Sequence, residues 1–307
     1  MPELKDFLTK KIIINNDFDG VLCGNILKNE YGCEIVGWTN SKDRLLLKKG
    51  YKLDNTETFV DIFTLANKSI DQHILPCEYS NTLNPNLLRG RFTFQNYYGK
   101  YPFSTAIFLL AMMAKEGKCI TQYVFKSDKF VLGDKKFKYI DILLRADDTL
   151  YTTVCKYKEN AKSWWDWIIE LSNNNEVLIN LKNFVYCINE KQAEEWKNNI
   201  DSYFWQNYKT NKEELAPFIE ENFELNSKFL SHFSLSNDII NLEETTMRHE
   251  RTIVKTMEEF DNIINNNNVF SYAFVFSPYA KDSSKKNFSF TVNDNEDENV
   301  KNNGKEE

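Results

Sequence analysis

Two aspartates at alternate positions, Asp17 and Asp19, follow the apolar run 11–14 and stand directly before Gly20. If that run is a strand, its polar end carries two carboxylates that can point at one cation, and the glycine lets the chain turn into a helix. Carboxylate oxygens are the ligands that Mg²⁺ and Mn²⁺ prefer in proteins. The motif therefore predicts a site for a hard divalent metal, although a solvated acidic turn also explains these residues taken alone.

Three further acidic groups accompany apolar runs within the first 150 residues of the chain. They are Asp61 within the run 58–63, the triplet Asp71, Gln72 and His73 after a short β-rich run that starts at 68, and the pair Asp147 and Asp148 after the run 139–144. An unpaired charge inside an apolar strand is costly, so Asp61 needs a partner or a cation. A helix N-cap or a packed histidine explains each other group alone, but together the groups favour one acidic site.

The elements that position these residues follow from the alternation of apolar runs with helix-like stretches. Strands are predicted at 11–14, 34–38, 58–63, 68–74 and 139–144, and helices at 21–29 and 102–114. Such alternation predicts βαβ units and a parallel sheet. Ligands of such sheets bind at the carboxyl ends of the strands, which is where each acidic group falls.

The character of the sequence changes after residue 157, where glycine disappears and tryptophan, asparagine, lysine and glutamate become frequent. We therefore predict an α/β protein with a parallel-sheet N-terminal domain over residues 1–157. A mainly helical domain with a late strand near 269–276 is predicted over residues 158–280, and a disordered acidic tail over 281–307.

Composition excludes several classes of function. With 45 acidic and 38 basic residues the formal net charge is −7, which does not suggest a basic nucleic-acid binder. The chain has only three histidines, and its six cysteines form no CxxC pair, so zinc knuckles and a disulfide framework are not expected. The apolar run 106–114 is too short for a membrane span, and the N-terminus is charged. We expect a soluble, cytoplasmic protein.

The ordered set of acidic motifs resembles the DHH phosphoesterase superfamily, which includes RecJ-type exonucleases and nanoRNases. NxDxDG at 15–20 matches the family's HxDxDG, Asp61 matches its strand-end aspartate, Asp71-Gln72-His73 matches Asp-His-His, and the fourth aspartate is best matched by Asp148, with Asp147 as the alternative. The resemblance covers roughly residues 10–155. It implies a centre of two metal ions, usually Mn²⁺, bridged by Asp61, and cleavage of a P–O bond.

Two residues depart from the family pattern, because Asn15 and Gln72 stand where the family has metal-binding histidines. Amide oxygens still ligate hard cations, which favours Mg²⁺; the other interpretation is weakened or lost metal binding. The family's glycine-rich substrate motif cannot be present, because the chain has no glycine between Gly133 and Gly304. The resemblance therefore does not identify the substrate.

We expect a metal-dependent phosphoesterase that cleaves a phosphodiester or phosphoanhydride in a nucleotide or a short single-stranded oligonucleotide. Duplex DNA is disfavoured because the chain is acidic. The expected metal ligands are Asp17, Asp19, Asp61 and Asp148, with Asn15 and Gln72 as auxiliary ligands. His73, with Asp71, is expected to contact or protonate the phosphoryl group, and Arg89 and Arg91 to hold the substrate phosphate.

Two alternatives remain open. One is a catalytically impaired DHH-like module that binds nucleotide or nucleic acid, or a protein partner through the helical domain. The other is a haloacid-dehalogenase-type phosphatase, which the sequence 17–21 resembles, with Asp17 as nucleophile and Asp19 as general acid. In that family, residues 38–40 and the pair Asp147-Asp148 would supply later motifs, but Asp61 and the 71–73 triplet would have no role.

Overall fold

The computed structural model describes residues 3–40, 44–125, 130–132, 135–208, 242–275 and 286–292. Its strands are β1 (Lys11–Asn15), β2 (Glu34–Thr39), β3 (Arg44–Lys48), β4 (Thr58–Val60), β5 (Lys68–Ile70), β6 (Thr82–Leu83), β7 (Phe130–Leu132), β8 (Lys135–Phe137), β9 (Leu242–Thr246), β10 (Arg248–Val254), β11 (Val269–Val275) and β12 (Lys286–Val292). Its α-helices are α1 (Leu4–Phe7), α2 (Phe18–Tyr31), α3 (Pro85–Leu88), α4 (Thr93–Asn96), α5 (Thr105–Lys115), α6 (Tyr139–Arg145), α7 (Thr149–Tyr151), α8 (Lys158–Leu171), α9 (Glu176–Tyr186), α10 (Glu190–Tyr208) and α11 (Met257–Asn266).

A seven-stranded mixed sheet has the strand order β6-β5-β4-β1-β2-β3-β9. The pairs β1/β4, β4/β5 and β5/β6 are parallel, whereas β2/β3 and β3/β9 are antiparallel. With the helices that join the strands, this arrangement gives the α/β fold that the sequence predicts. The parallel pairs matter for function, because their strands end at one edge of the sheet.

Helices α2 and α5 each begin at a residue whose side chain caps the helix N-terminus. Asp17 caps the N-terminus of α2, where its carboxylate accepts the Gly20 N–H over 3.0 Å. Gly32 ends the same helix with φ +63°, a conformation that glycine adopts without steric cost. Ser104 caps α5 in the same way, accepting the Ile107 N–H over 3.3 Å. Among the described residues, no helix has both the length and the apolar character needed to cross a membrane.

Contacts group the chain into two units that do not divide it at residue 157. The sheet unit comprises the described parts of 9–15, 36–101 and 241–307. It holds most of the large sheet and a three-stranded antiparallel sheet of order β10-β12-β11. Aromatic rings fill its core, among them Phe63 and Tyr272 with ring centroids 4.9 Å apart. Edge-to-face pairs of this kind add specific geometry to the burial of apolar area.

The helical unit comprises the described parts of 1–8, 16–35 and 102–240. Helix α2 packs against α5 and α6, and α5 packs against α8. Ten consecutive residues of α5, 105–114, are buried, as expected for a helix that is apolar all round. Trp164 and Trp165 are also buried, and Trp165 lies 4.6 Å from Phe103 between ring centroids. The tryptophans therefore act as core residues.

The run 139–144, predicted to be a strand, is helix α6. A short apolar run fits both patterns, since Ile140, Leu143 and Leu144 also share one face of a helix. Asp141 favours the helix, because its carboxylate accepts the Lys138 N–H over 2.8 Å and satisfies a donor at the helix start. Asp147 and Asp148 consequently follow a helix and not a strand.

Part of the segment that was predicted to be a disordered tail forms β12, the central strand of the three-stranded sheet. Phe288, Phe290 and Val292 stand at alternate positions of this strand and are buried. This two-residue period favours a strand even though the neighbouring residues are polar. The rest of the predicted tail lies outside the described residues. Beyond residue 157 the described chain also contains β9 to β11, which is more strand than the single late strand that the sequence predicts.

Candidate metal centre

Four polar residues lie side by side at the carboxyl edge of the parallel strands. Asn15 ends β1, and Asp61, Asp71 and Asn84 follow directly on β4, β5 and β6. The register aligns the preceding residues of each neighbouring pair, which are Ile14 with Val60, Val60 with Ile70 and Ile70 with Leu83. All four side chains are buried. Buried polar groups need partners, so this row must be satisfied internally or by a ligand.

Each aspartate of the row is bound by an amide of the neighbouring strand. The Asn15 Nδ2 donates to Asp61 Oδ2 over 3.1 Å, and the Asn84 Nδ2 donates to Asp71 Oδ2 over 3.3 Å. Asp61 has φ +62°, a left-handed conformation that is uncommon outside glycine. Its N–H still donates to the Ile70 carbonyl over 2.8 Å, so the ladder to β5 continues while the chain turns. Strained residues of this kind cluster at functional sites.

Asp71 also orients His73. One carboxylate oxygen accepts the His73 backbone N–H over 3.0 Å, and the other lies 2.5 Å from the ring Nδ1. Asp71 is fully buried, whereas the His73 side chain is 30% exposed. A carboxylate at Nδ1 fixes the orientation of an imidazole and directs Nε2 to the opposite side of the ring. The bonds between Asp71 and His73 therefore leave Nε2 as the ring nitrogen that faces away from Asp71.

Asp19 lies in the first turn of α2 and is held by the start of α5. Its Oδ2 accepts the Thr105 N–H over 2.6 Å, and its Oδ1 accepts the Ala106 N–H over 2.8 Å. Helix N-termini favour negative charge, so α5 stabilises the ionised form of this buried carboxylate. Asp17, in contrast, is exposed and caps α2.

Asp147 and Asp148 form a turn after α6 in which both residues have positive φ, 48° and 55°. Asp147 is exposed, and its carboxylate belongs to the acidic group described next. Asp148 makes two salt bridges of 2.7 Å, one to Arg145 and one to Lys197. The two neighbours therefore have different surroundings.

One carboxylate oxygen from each of Asp19, Asp61 and Asp147 lies within 4.8 Å of the other two. Opposite ligands of Mg²⁺ stand about 4.2 Å apart, twice a usual bond length of about 2.1 Å. A small inward movement of these oxygens would therefore suit a hard cation. Asp19 and Asp61 are each only 1% exposed, so the chemistry and the burial of the donor set both fit such an ion.

Some of the metal ligands expected from the sequence belong to this group of three carboxylates, and others do not. Asp19 and Asp61 belong to it, Asp147 belongs in place of Asp148, and Asn15 adjoins it through its bond to Asp61. Asp17 is not a member. The backbone carbonyl of Gln72 accepts the Asn86 Nδ2 over 2.7 Å, which anchors the 71–73 segment.

Arg89 and Arg91 lie at the end of α3 and just beyond it. The Arg91 N–H donates to the Asn86 carbonyl over 2.8 Å, and Asn86 in turn bonds Gln72, so this loop is tied to the segment that carries His73. The buried Arg91 Nε has no hydrogen-bond partner among the residues that the structure describes. An unmatched buried donor is costly, which makes this guanidinium a reasonable position for an anionic ligand.

Sequence reasoning missed Asn84, Arg145 and Lys197. Asn84 stands directly before Pro85, a pattern typical of a helix N-cap that could have indicated it. No local pattern marks Lys197, which lies far along the chain in α10. Comparisons with known protein families, with curated proteins and with solved structures find no match.

Proposed function

We propose that this protein is a divalent-metal-dependent phosphoesterase that acts on a phosphodiester or phosphoanhydride in a nucleotide or a short single-stranded oligonucleotide. The observation that carries the proposal is the convergence of the Asp19, Asp61 and Asp147 carboxylates within 4.8 Å. The resemblance of the ordered motifs to the DHH phosphoesterases supports it, and so does the position of Asp61 at a strand end of a parallel sheet.

Electrostatics supports a cation at this group. Two ionised carboxylates whose oxygens lie within 4.8 Å of each other repel by about 3 kcal/mol or more at an effective dielectric constant of about 20. The pair Asp19 and Asp61 is almost fully buried, so solvent screens this repulsion little. A divalent ion bound by all three carboxylates would attract each of them, and this attraction would outweigh their mutual repulsion. Mn²⁺ and Mg²⁺ are the proposed ions because all the donors are oxygens.

Such an ion, when bound, polarises a phosphoryl oxygen and activates a water molecule for attack on phosphorus. The chain supplies the remaining chemistry. His73, oriented by Asp71 over 2.5 Å, presents Nε2 to donate a proton to the leaving oxygen. Asn84 donates to Asp71 and to the His73 carbonyl, over 3.3 and 2.8 Å, and so keeps this pair in place.

Substrate binding is assigned to Arg89 and Arg91, whose loop is anchored to the 71–73 segment through Asn86. A guanidinium binds phosphate oxygens in a bidentate manner. The formal net charge of −7 disfavours duplex DNA, which binds mainly through many basic contacts. A substrate with few phosphates suits two arginines better.

A second candidate is a nucleotide-binding or scaffold module without turnover, and the bonds of Asp19 favour it. Both oxygens of this carboxylate already accept N–H groups from α5, over 2.6 and 2.8 Å. Asp19 therefore has a structural role that does not need a metal. The enzyme remains the leading proposal because carboxylate oxygens of Asp61 and Asp147 lie within 4.8 Å of one of Asp19.

Calorimetric titration with Mn²⁺ and Mg²⁺, paired with hydrolysis assays on dinucleotides, cyclic dinucleotides and short oligonucleotides, tests the proposal. We expect metal binding and turnover in the wild type, and the loss of both in Asp61→Asn. The matched control is Asp141→Asn, the same chemical change at a half-buried carboxylate that accepts a backbone N–H. Metal binding without turnover would support the module, and no binding at millimolar metal would exclude the metal-dependent enzyme.

A further inference from the structure

Asp148 forms salt bridges with two basic side chains from different helices, Arg145 and Lys197, and we call these three residues the clamp. Its Oδ1 accepts from Arg145 Nη1 over 2.7 Å, and its Oδ2 accepts from Lys197 Nζ over 2.7 Å. Side-chain exposures are 20% for Arg145, 24% for Asp148 and 26% for Lys197. Partial burial makes such charge-assisted bonds stronger and less screened than those of exposed pairs. The clamp therefore fixes Asp148 firmly.

The turn that Asp148 shares with Asp147 needs such support. Asp147 has φ 48° and ψ 28°, and Asp148 has φ 55° and ψ 32°, so two successive residues other than glycine are left-handed. This conformation costs about 1–2 kcal/mol for each residue. Strained backbone persists only where the surrounding structure holds it. Without the clamp, we expect the turn to relax toward more favourable dihedral angles and to carry the Asp147 carboxylate away.

Lys197 makes a second contact close to the same turn. Its ammonium lies 5.1 Å from the centroid of the Tyr151 ring, in addition to its bond with Asp148. Tyr151 ends α7, which begins directly after Asp148. One side chain of α10 thus contacts both the turn and the short helix that follows it, which suits a positioning role better than a general contribution to stability.

We propose that Arg145 and Lys197 are positioning residues that act through Asp148 to hold Asp147 in its metal-binding place. This inference rests on the proposed function, because Asp147 belongs to the candidate metal group. It also explains the presence of two adjacent aspartates, of which Asp147 binds metal and Asp148 anchors the turn. Residues that orient metal ligands typically change metal affinity by about 10- to 100-fold when they are substituted.

Calorimetric titration of the full chain with Mn²⁺ tests the inference with three variants. Lys197→Met should weaken Mn²⁺ binding about 10- to 100-fold, and Lys197→Arg, which keeps the charge, should restore it to within about threefold. The matched control is Lys182→Met, since Lys182 also lies 2.5 Å from an aspartate, Asp166, and has a similar exposure of 21%, but contacts neither residue of the turn. It should bind Mn²⁺ like the wild type, and circular dichroism should show unchanged helix content in all three.

The outcomes separate the two proposals. If the wild type binds Mn²⁺ and Lys197→Met binds it equally well, this inference fails while the proposed function stands. An equal loss of affinity in Lys182→Met and Lys197→Met also overturns it, because the effect would then be a general loss of stability. If the wild type binds no Mn²⁺, the proposed function fails and the inference fails with it.

Discussion

The backbone N–H of Ser104 donates to the hydroxyl of Thr149 over 3.1 Å, and that hydroxyl donates to the Ala146 carbonyl over 2.9 Å. Ser104 caps α5, whose next two N–H groups bind Asp19. Ala146 and Thr149 flank the turn that carries Asp147. A single buried hydroxyl therefore ties the turn with one acidic side chain to the helix start that holds another.

Thr149→Val removes this hydroxyl at nearly constant volume. It leaves the Ser104 N–H and the Ala146 carbonyl without that partner, so we expect a loss of about 1–3 kcal/mol in the free energy of unfolding. We also expect weaker Mn²⁺ binding, because this hydroxyl no longer links the turn that carries Asp147 to the helix start that binds Asp19. Urea unfolding and calorimetry measure the two effects. Thr153→Val is the control, since its buried hydroxyl bonds the Thr149 carbonyl over 2.8 Å; comparable Mn²⁺ affinities in the two variants would contradict the prediction.

Asp61→Asn should change stability in opposite directions with and without metal. Asparagine keeps an oxygen that can accept from Asn15 and tolerates positive φ, so the variant mainly removes one buried charge. In EDTA we expect a higher melting temperature than that of the wild type, because repulsion with Asp19 is relieved. At 100 times the dissociation constant, Mn²⁺ should stabilise the wild type by about 2.7 kcal/mol and leave the variant unchanged. Differential scanning calorimetry in both buffers measures this, and a lower melting temperature for the variant in EDTA would refute the repulsion argument.

His73→Asn tests the proton-donating role. The variant lacks the ring nitrogen Nε2, and we expect kcat to fall by about 10²- to 10⁴-fold. Mn²⁺ affinity should be unchanged, because His73 is not a member of the acidic group. Steady-state kinetics and calorimetry provide the readouts. The control is His249→Asn, a partly buried histidine on β10 whose Nε2 lies 2.7 Å from Ser289 Oγ. An unchanged kcat in His73→Asn would remove His73 from the mechanism.

Tyr123 should make stability fall at alkaline pH. Burial, followed by the hydrogen bond to Glu30, raises the pKa of Tyr123 to about 12. The pKa of tyrosine in the unfolded chain is about 10, so the stabilisation is complete below about pH 10 and is lost as the pH rises toward 12. Between about pH 9 and pH 11, urea unfolding should show a larger loss in the wild type than in Tyr123→Phe, by about 1 kcal/mol. Other tyrosines titrate in both proteins, so parallel losses would show that Tyr123 contributes nothing.

The α/β class and most strand-end residues could be predicted because their signals are local. A short apolar run followed by a carboxylate is read from a few neighbouring residues, and parallel strands necessarily end at one edge of their sheet. Asp61 and Asp71 were therefore predicted at this edge, and the structure has them there beside Asn15. The run 139–144 was not predicted correctly, because so few apolar residues fit a helix and a strand equally well.

The sequence by itself determined the order of the acidic motifs, the alternation of strands and helices, and the oxygen-rich chemistry of the site. Only the tertiary structure shows that the carboxylate of Asp147, and not that of Asp148, lies beside those of Asp19 and Asp61. Asp148 instead bonds Lys197, which is 49 residues away in sequence, and both aspartates have positive φ. Tertiary contacts also decide that Lys286–Val292 is a strand, because β10 and β11 pair with it on either side. Local patterns specify which residues can do chemistry, whereas the choice between neighbours depends on side chains that approach from distant parts of the chain.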